Sequence, residues 1–140
     1  ASILKGVQSK LWLGNLDAKR DWGHAKDYVE GMWKILQHDQ AEDFVLATGK
    51  SFTVRDFCEI AFKEIGISLT WSGKGTDEIG INSKSGETLI EIDKRYYRPT
   101  EVDYLEGDAT KAQEKLNWTP TISLREMIAE MVKNDINLIN

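Results

Sequence analysis

Hydrophobic positions along the chain fall into short blocks that switch between strand and helix spacing. Leu11, Trp12 and Leu13 are a compact apolar run that predicts a strand over residues 10–13. Residues 17–22 read as its returning partner across Gly14-Asn15, two residues that accept the positive φ of a tight reversal. After Gly23, Tyr28, Val29, Met32, Trp33 and Leu36 recur at helical spacing and predict an amphipathic helix over about residues 25–38. Lys26, Glu30, Lys34 and Gln37 take its polar face, and the Met32-Trp33 pair is expected in the core. Residues 44–48 form a continuous apolar run ending at Gly49, the pattern of a strand buried on both faces of a parallel sheet.

Thr53 followed by Asp56 marks a helix start, with Val54, Phe57, Cys58, Ala61 and Ile65 on one stripe before Gly66. Residues 67–71 are a strand candidate. Residues 72–86 hold four glycines among polar residues, without the strand-then-helix setting of a phosphate loop, and read as a solvated, mobile insertion. Thr88–Ile92 alternates as a strand. Asp108 caps a helix over residues 109–116, closed by Asn117 and Trp118 ahead of Pro120. Ser123 and Glu126 form a capping box for a last helix that buries Leu124, Met127, Ile128, Met131 and Val132.

Composition narrows the class. One hundred and forty residues with 41% hydrophobic content suffice for a real core. A net charge of −5, with no basic run, argues against a nucleic-acid or membrane-surface partner. The single cysteine, Cys58, rules out an internal disulfide, suits a reducing compartment and reads as an inert buried thiol. No apolar run reaches the roughly 18 residues of a membrane span and no signal peptide opens the chain, so a cytoplasmic location is expected. His24 and His38 stand alone, without metal-ligand spacing.

Two loops carry candidate chemistry. Lys19-Arg20-Asp21-Trp22 places a cation, an acid and an indole beside a helix start, a set suited to a phosphorylated, ring-bearing ligand, because Arg forms bidentate contacts to phosphate oxygens. A surface Arg-Asp pair over a packing ring is the competing reading. Arg98-Pro99-Thr100-Glu101 is the second: Pro99 biases Arg98 to extended geometry and sets Glu101 beside it, serving a ligand or forming an internal ion pair worth roughly 0–1 kcal/mol. No Gly-rich dinucleotide loop and no Tyr-x-x-x-Lys pair is present, so no catalytic and no cofactor-binding residue is assigned.

The stretch LGNLDAKRDWGHAKDYVEGMW is similar, nearly residue for residue, to one in GDP-mannose 4,6-dehydratases, and RYYRPTEVDYLEGDATKAQEKLNWTP resembles that family's C-terminal signature. The likeness runs from about Ile3 to Ile139. It implies an α/β fold, specifically the C-terminal part of an extended short-chain dehydrogenase: an incomplete Rossmann-type sheet plus a small substrate-binding lobe. The family's NADP site and its catalytic Tyr, Lys, Thr and Glu lie upstream of this region, so residues 1–140 are expected to be the nucleotide-sugar binding region without the N-terminal Rossmann part. The resemblance further implies GDP-mannose as substrate, GDP-4-keto-6-deoxymannose as product, NADP held by the missing part and a homo-oligomer in the complete enzyme. By motif, Arg20 would contact the diphosphate or ribose, Arg98 the diphosphate and Glu101 a ribose hydroxyl. Rival readings are the substrate lobe of another nucleotide-sugar epimerase or dehydratase, and a stand-alone interaction module.

Overall fold

The computed structural model describes residues 1–98, 100 and 102–139. In chain order the regular elements are β1 (Leu11–Leu13), β2 (Lys19–Asp21), α1 (Ala25–Leu36), β3 (Ser51–Thr53), α2 (Val54–Glu64), β4 (Leu69–Ser72), β5 (Ile79–Asn82), β6 (Thr88–Ile92), α3 (Thr110–Leu116) and α4 (Leu124–Leu138). They divide between two compact units. The first holds Ala1–Ala18, Thr53–Asp103 and Ile128–Asn140, and the second holds Lys19–Phe52 and Tyr104–Met127.

The first unit is built on a four-stranded sheet in the order β1-β6-β5-β4, in which β4, β5 and β6 form an antiparallel meander and β1 lies parallel to β6. Leu11 faces Ile90 and Leu13 faces Ile92 across that parallel edge. The β5–β6 turn closes through Asn82, whose carbonyl accepts from the Gly86 N–H while Gly86 takes φ +74°. The capping box starts α2 as its sequence implies: Thr53 Oγ1 accepts from the Asp56 N–H, and Asp56 accepts from the Thr53 N–H. That helix packs Cys58 and Phe62 against Leu89 and Ile90, with Leu11, Leu13, Ile65, Leu69 and Trp71 around them. Each such side chain contributes roughly 1.5–3 kcal/mol on burial. Burial pushes the Cys58 thiol up to about 12, matching the inert thiol expected.

Two expectations fail in this unit. Residues 72–86 are no mobile insertion, for they contain β5 and a short 3₁₀ turn, Gly75–Asp77. Ile79 and Ile81 carry the strand, and Gly80 admits the Trp71 ring, which a Cβ there would meet at 2.9 Å. The predicted hairpin between β1 and residues 17–22 is likewise absent, because β1 pairs with β6 and β2 pairs with β3. An Asn15 side-chain turn, with Oδ1 accepting from the Asp17 N–H, shapes the connection, and Leu16 and Ala18 are buried. Their carbonyls accept from the Arg55 and Val54 N–H groups in the first turn of α2. Gly14 is not needed for positive φ; a Cβ there would lie 2.3 Å from the Tyr96 carbonyl oxygen.

The second unit is organised around Trp118, only 1% exposed. Its Nε1–H donates to the Asp27 carbonyl at 2.8 Å, and its ring stacks on Tyr28 with centroids 6.2 Å apart. Gly31 lets α1 approach, since a Cβ there would lie 2.7 Å from Leu46 and 3.0 Å from the Trp118 indole nitrogen. The helix forms where its periodicity predicts but turns the other way. Asp27 and Gly31 are buried, whereas Val29, Met32, Trp33 and Leu36 are 58–80% exposed. The inward face is chosen by close approach and hydrogen bonding at Gly31 and Asp27, which outweigh the apolar stripe within these residues.

Residues 44–48 belong to no strand; Ala47 is buried and Val45 is 53% exposed, so burial on both faces is not observed. The segment finds no ladder partner among the described residues. Asp108 makes a local turn, its Oδ1 accepting from the Thr110 N–H, ahead of α3, which ends in left-handed Asn117 (φ 49°). The Ser123–Glu126 box opens α4 as expected. Leu124, Met127 and Ile128 are buried, but Met131 is 48% exposed and not in the core.

Candidate functional site

Strand β2 supplies the first candidate group. Its central residue, Arg20, is half-buried, and one guanidinium N–H donates to the Lys19 carbonyl at 2.8 Å. The strand is gripped on both sides. β3 pairs along one edge, and a parallel bridge from Lys19 to Tyr104 occupies the other, with the Leu105 N–H donating to the Lys19 carbonyl. Lys19 Nζ lies 6.0 Å from the Tyr104 ring centroid.

Asp21 is the residue the sequence reading undervalued. Its Oδ1 accepts from the Thr48 N–H at 2.9 Å and the Thr48 hydroxyl at 2.5 Å, and its Oδ2 accepts from the Gly49 N–H at 3.0 Å and the Gly107 N–H at 3.3 Å. One carboxylate thus satisfies donors on two irregular segments that lack strand partners to do so. Gly107 is a glycine for the same reason of proximity, since a Cβ would sit 2.3 Å from that of Ala47. Trp22 next to it lines a hollow of about 220 Å³ with Thr48, Lys50, Phe52 and residues 120–124. A second hollow, about 340 Å³, is lined by residues 47–49, 106–110 and 118–120.

A second carboxylate, this one buried, fixes the start of α1. His24 caps the helix, its Nδ1 accepting from the Lys26 N–H. Asp27, 4% exposed, accepts from the N–H groups of Thr121 and Ile122 and from the Thr121 hydroxyl. Burial alone would raise its pKa. Those hydrogen bonds, with the charge of His24, hold it below the ordinary carboxylate value. Burial, with Asp21 and Asp27 nearby, raises the Tyr28 hydroxyl.

Arg98 is exposed in the loop after β6, in the first unit. The approach to it is shaped by Asp93, which accepts from the Arg95 backbone and guanidinium, and by a turn that brings the Tyr96 and Tyr97 N–H groups to the Asp93 carbonyl. Arg20 belongs to the second unit, so the two arginines sit on separately organised parts of the chain. Glu101 and Pro99 lie outside the described residues, and with them the Arg98–Glu101 tie.

The sequence reading also missed Arg55. It forms a fork to Glu78 at 2.5 and 3.0 Å, reaches Asp17 at 2.8 Å and stacks 4.7 Å from the Trp71 ring centroid. The pair to Glu78 raises its pKa further above the ordinary arginine value, so it is a fixed cation bracing the first unit. No local pattern marks it, because its partners are 38 and 23 residues away. Asp21 was legible only as the neighbour of Arg20.

A dinucleotide cofactor does not fit the described residues. Glycines with positive φ occur at Gly6, Gly49, Gly66, Gly73, Gly75 and Gly86, and none joins the end of a parallel strand to a helix start as a pyrophosphate cradle requires. No helix among the described residues is long and apolar enough to cross a membrane.

Solved structures of similar architecture include RMD from Pseudomonas aeruginosa complexed with NADPH (TM-score 0.76, 16% identity, 99% of this chain and 40% of that one). Another is a UDP-glucose 4-epimerase from Thermotoga maritima with UDP-glucose (TM-score 0.72, 22% identity, 99% and 38%). At such identities they show the fold alone, the α/β arrangement described above. Closer in sequence are the GDP-mannose 4,6 dehydratase of Homo sapiens, 52% identical over 139 residues, and that of Vibrio cholerae, 49% identical over 148. Both cover 99% of this chain, which spans only 37% and 40% of their lengths. The family profile described as GDP-mannose 4,6 dehydratase matches residues 1–131. On both the profile and the half-identical relatives, the chain belongs to the GDP-mannose 4,6 dehydratase family.

Proposed function

We propose that residues 1–140 are the nucleotide-sugar binding region of a cytoplasmic, NADP-dependent GDP-mannose 4,6-dehydratase, a lyase that forms GDP-4-keto-6-deoxymannose. The observation that carries this reading is β2. It sets Arg20 on a strand braced at both edges, within a block that resembles the family's own. Arg98, exposed after β6, is the second arginine for the diphosphate, and Glu101 a partner for the ribose. Binding energy from the GDP group, remote from the reacting carbons, positions the sugar for reaction.

The hydride and proton transfers belong to the part of the protein that relatives have beyond this region, where NADP is held. The exposed face of α1 supports that division: Val29, Met32, Trp33 and Leu36 form an apolar stripe suited to the remaining part of the polypeptide. Within the complete enzyme a homo-oligomer is expected.

Calorimetry of the chain with GDP and with UDP tests the binding assignment. GDP should bind more tightly, and affinity should fall with salt because arginines meet a diphosphate. Arg20→Ala and Arg98→Ala should each weaken binding about ten- to a hundredfold, from roughly 1.5–3 kcal/mol per charge-assisted contact. Lys at either position recovers only part of that, for it keeps the charge and loses the fork. Equal affinity for GDP and UDP, or indifference to salt, would count against the assignment.

A further inference from the structure

We propose that Asp21 is a positioning residue for the diphosphate of a nucleotide sugar, acting through Arg20. The inference rests on the diphosphate role given to Arg20 above and assigns Asp21 a part in that same site. Arg20 and Asp21 are consecutive on β2, and successive strand side chains leave on opposite faces. Asp21 spends its carboxylate on four donors from Thr48, Gly49 and Gly107, which locks the strand against two loops. Arg20 then departs from the other face of a backbone that cannot rotate.

The chemistry explains why this matters for binding. A long, flexible arginine side chain loses rotamer entropy when a ligand fixes it, and preorganisation lowers what is lost on binding. Arg20 is already steered by its bond to the Lys19 carbonyl, on the residue that also bridges to Tyr104 and accepts from Leu105. The Asp21 carboxylate holds the other end of the same three-residue strand. The residues it fastens, Thr48, Gly49 and Gly107, are among those that line the hollow of about 340 Å³.

Asp21→Asn is the informative substitution because it keeps shape and removes acceptor capacity. The amide oxygen can still serve Thr48, but the NH₂ group then faces the Gly49 and Gly107 N–H donors. The experiment is a double-mutant cycle in the 140-residue chain, titrated with GDP, over wild type, Asp21→Asn, Arg20→Ala and the pair. Nitrogen-15 relaxation of the Arg20 Nε–H reports its order in the absence of ligand.

Asp21→Asn should weaken GDP binding about tenfold and loosen the Arg20 Nε–H, while adding little to Arg20→Ala in the double variant. Thr48→Val, which removes one bond of the four, should stay within about threefold of wild type. A merely structural Asp21 would lower the melting temperature and weaken binding equally in both backgrounds, with Arg20 order unchanged; that additive result overturns the proposal. If Arg20→Ala leaves GDP affinity at the wild-type value, or wild type does not bind GDP, the reading of Arg20 itself fails and the inference falls with it.

Discussion

In the first unit, α2 lies on a four-stranded sheet and closes an apolar core of Cys58, Phe62, Leu89 and Ile90. In the second, α1 turns Asp27 and Gly31 inward and leaves Val29, Met32, Trp33 and Leu36 to the outside. The first is held by strand ladders and buried methyl groups. The second is held by one indole and two carboxylates, Asp21 and Asp27, each accepting from the backbone of segments that have no ladder of their own. Ladders satisfy backbone donors cheaply and locally. Irregular segments need a side-chain acceptor brought from far along the sequence, and Asp21 and Asp27 supply it in the second unit.

The largest expected effect tests which residue dominates the second unit. Trp118→Ala should cost about 3–5 kcal/mol, since it empties a fully buried site and removes the indole N–H bond to the Asp27 carbonyl. Amide exchange should then accelerate chiefly in residues 19–52 and 104–127. Ile90→Ala, at about 2–5 kcal/mol, should act chiefly on the first unit. If both variants loosen the whole chain equally, the contrast between the units does not hold.

Asp27 sharpens the contrast through pH. Its folded pKa lies below the ordinary 3.8, so its stabilisation is present above that value and is lost as pH falls through the folded one. Asp27→Asn should cost about 1–3 kcal/mol at pH 7, and the gap from wild type should shrink below about pH 4. Urea melts at pH 7 and pH 3 measure it. A constant gap would mean that the carboxylate's charge plays no part.

The smallest effect is expected on the exposed stripe. Trp33→Ser should change the stability of the chain by no more than about 0.5 kcal/mol, in contrast to any buried aromatic. A loss of several kcal/mol would place Trp33 in the core, where the periodicity of the sequence had put it.

That last case shows what the sequence could and could not reveal. Capping boxes at Thr53 and Ser123, and α1, α2 and α4, were legible because their signals are local. The family was legible from two motifs. What failed was always a choice of partner. Apolar spacing at Tyr28 to Leu36 defines a stripe but cannot say whether a cover is present, and Gly31 and Asp27 decided the inward face instead. Gly14-Asn15 signals a turn, yet β1 chose β6, some 80 residues later in the chain, over its neighbour. Gly80 resembled loop composition until Trp71 filled its space. Of the candidate site, Arg20 falls on β2, inside the segment expected to be extended, but the fastening by Asp21 depends on Thr48, Gly49 and Gly107, which no local pattern connects to it.

The proposed division puts nucleotide-sugar binding in these residues and the chemistry elsewhere in the enzyme. A steady-state assay of GDP-mannose conversion with NADP tests this most directly, comparing the 140-residue chain alone with the same chain joined to the upstream part of a family relative. The expected result is no turnover by the chain alone and measurable turnover by the joined protein, with Arg20→Ala raising its KM about ten- to a hundredfold. Turnover by the 140 residues alone would contradict it.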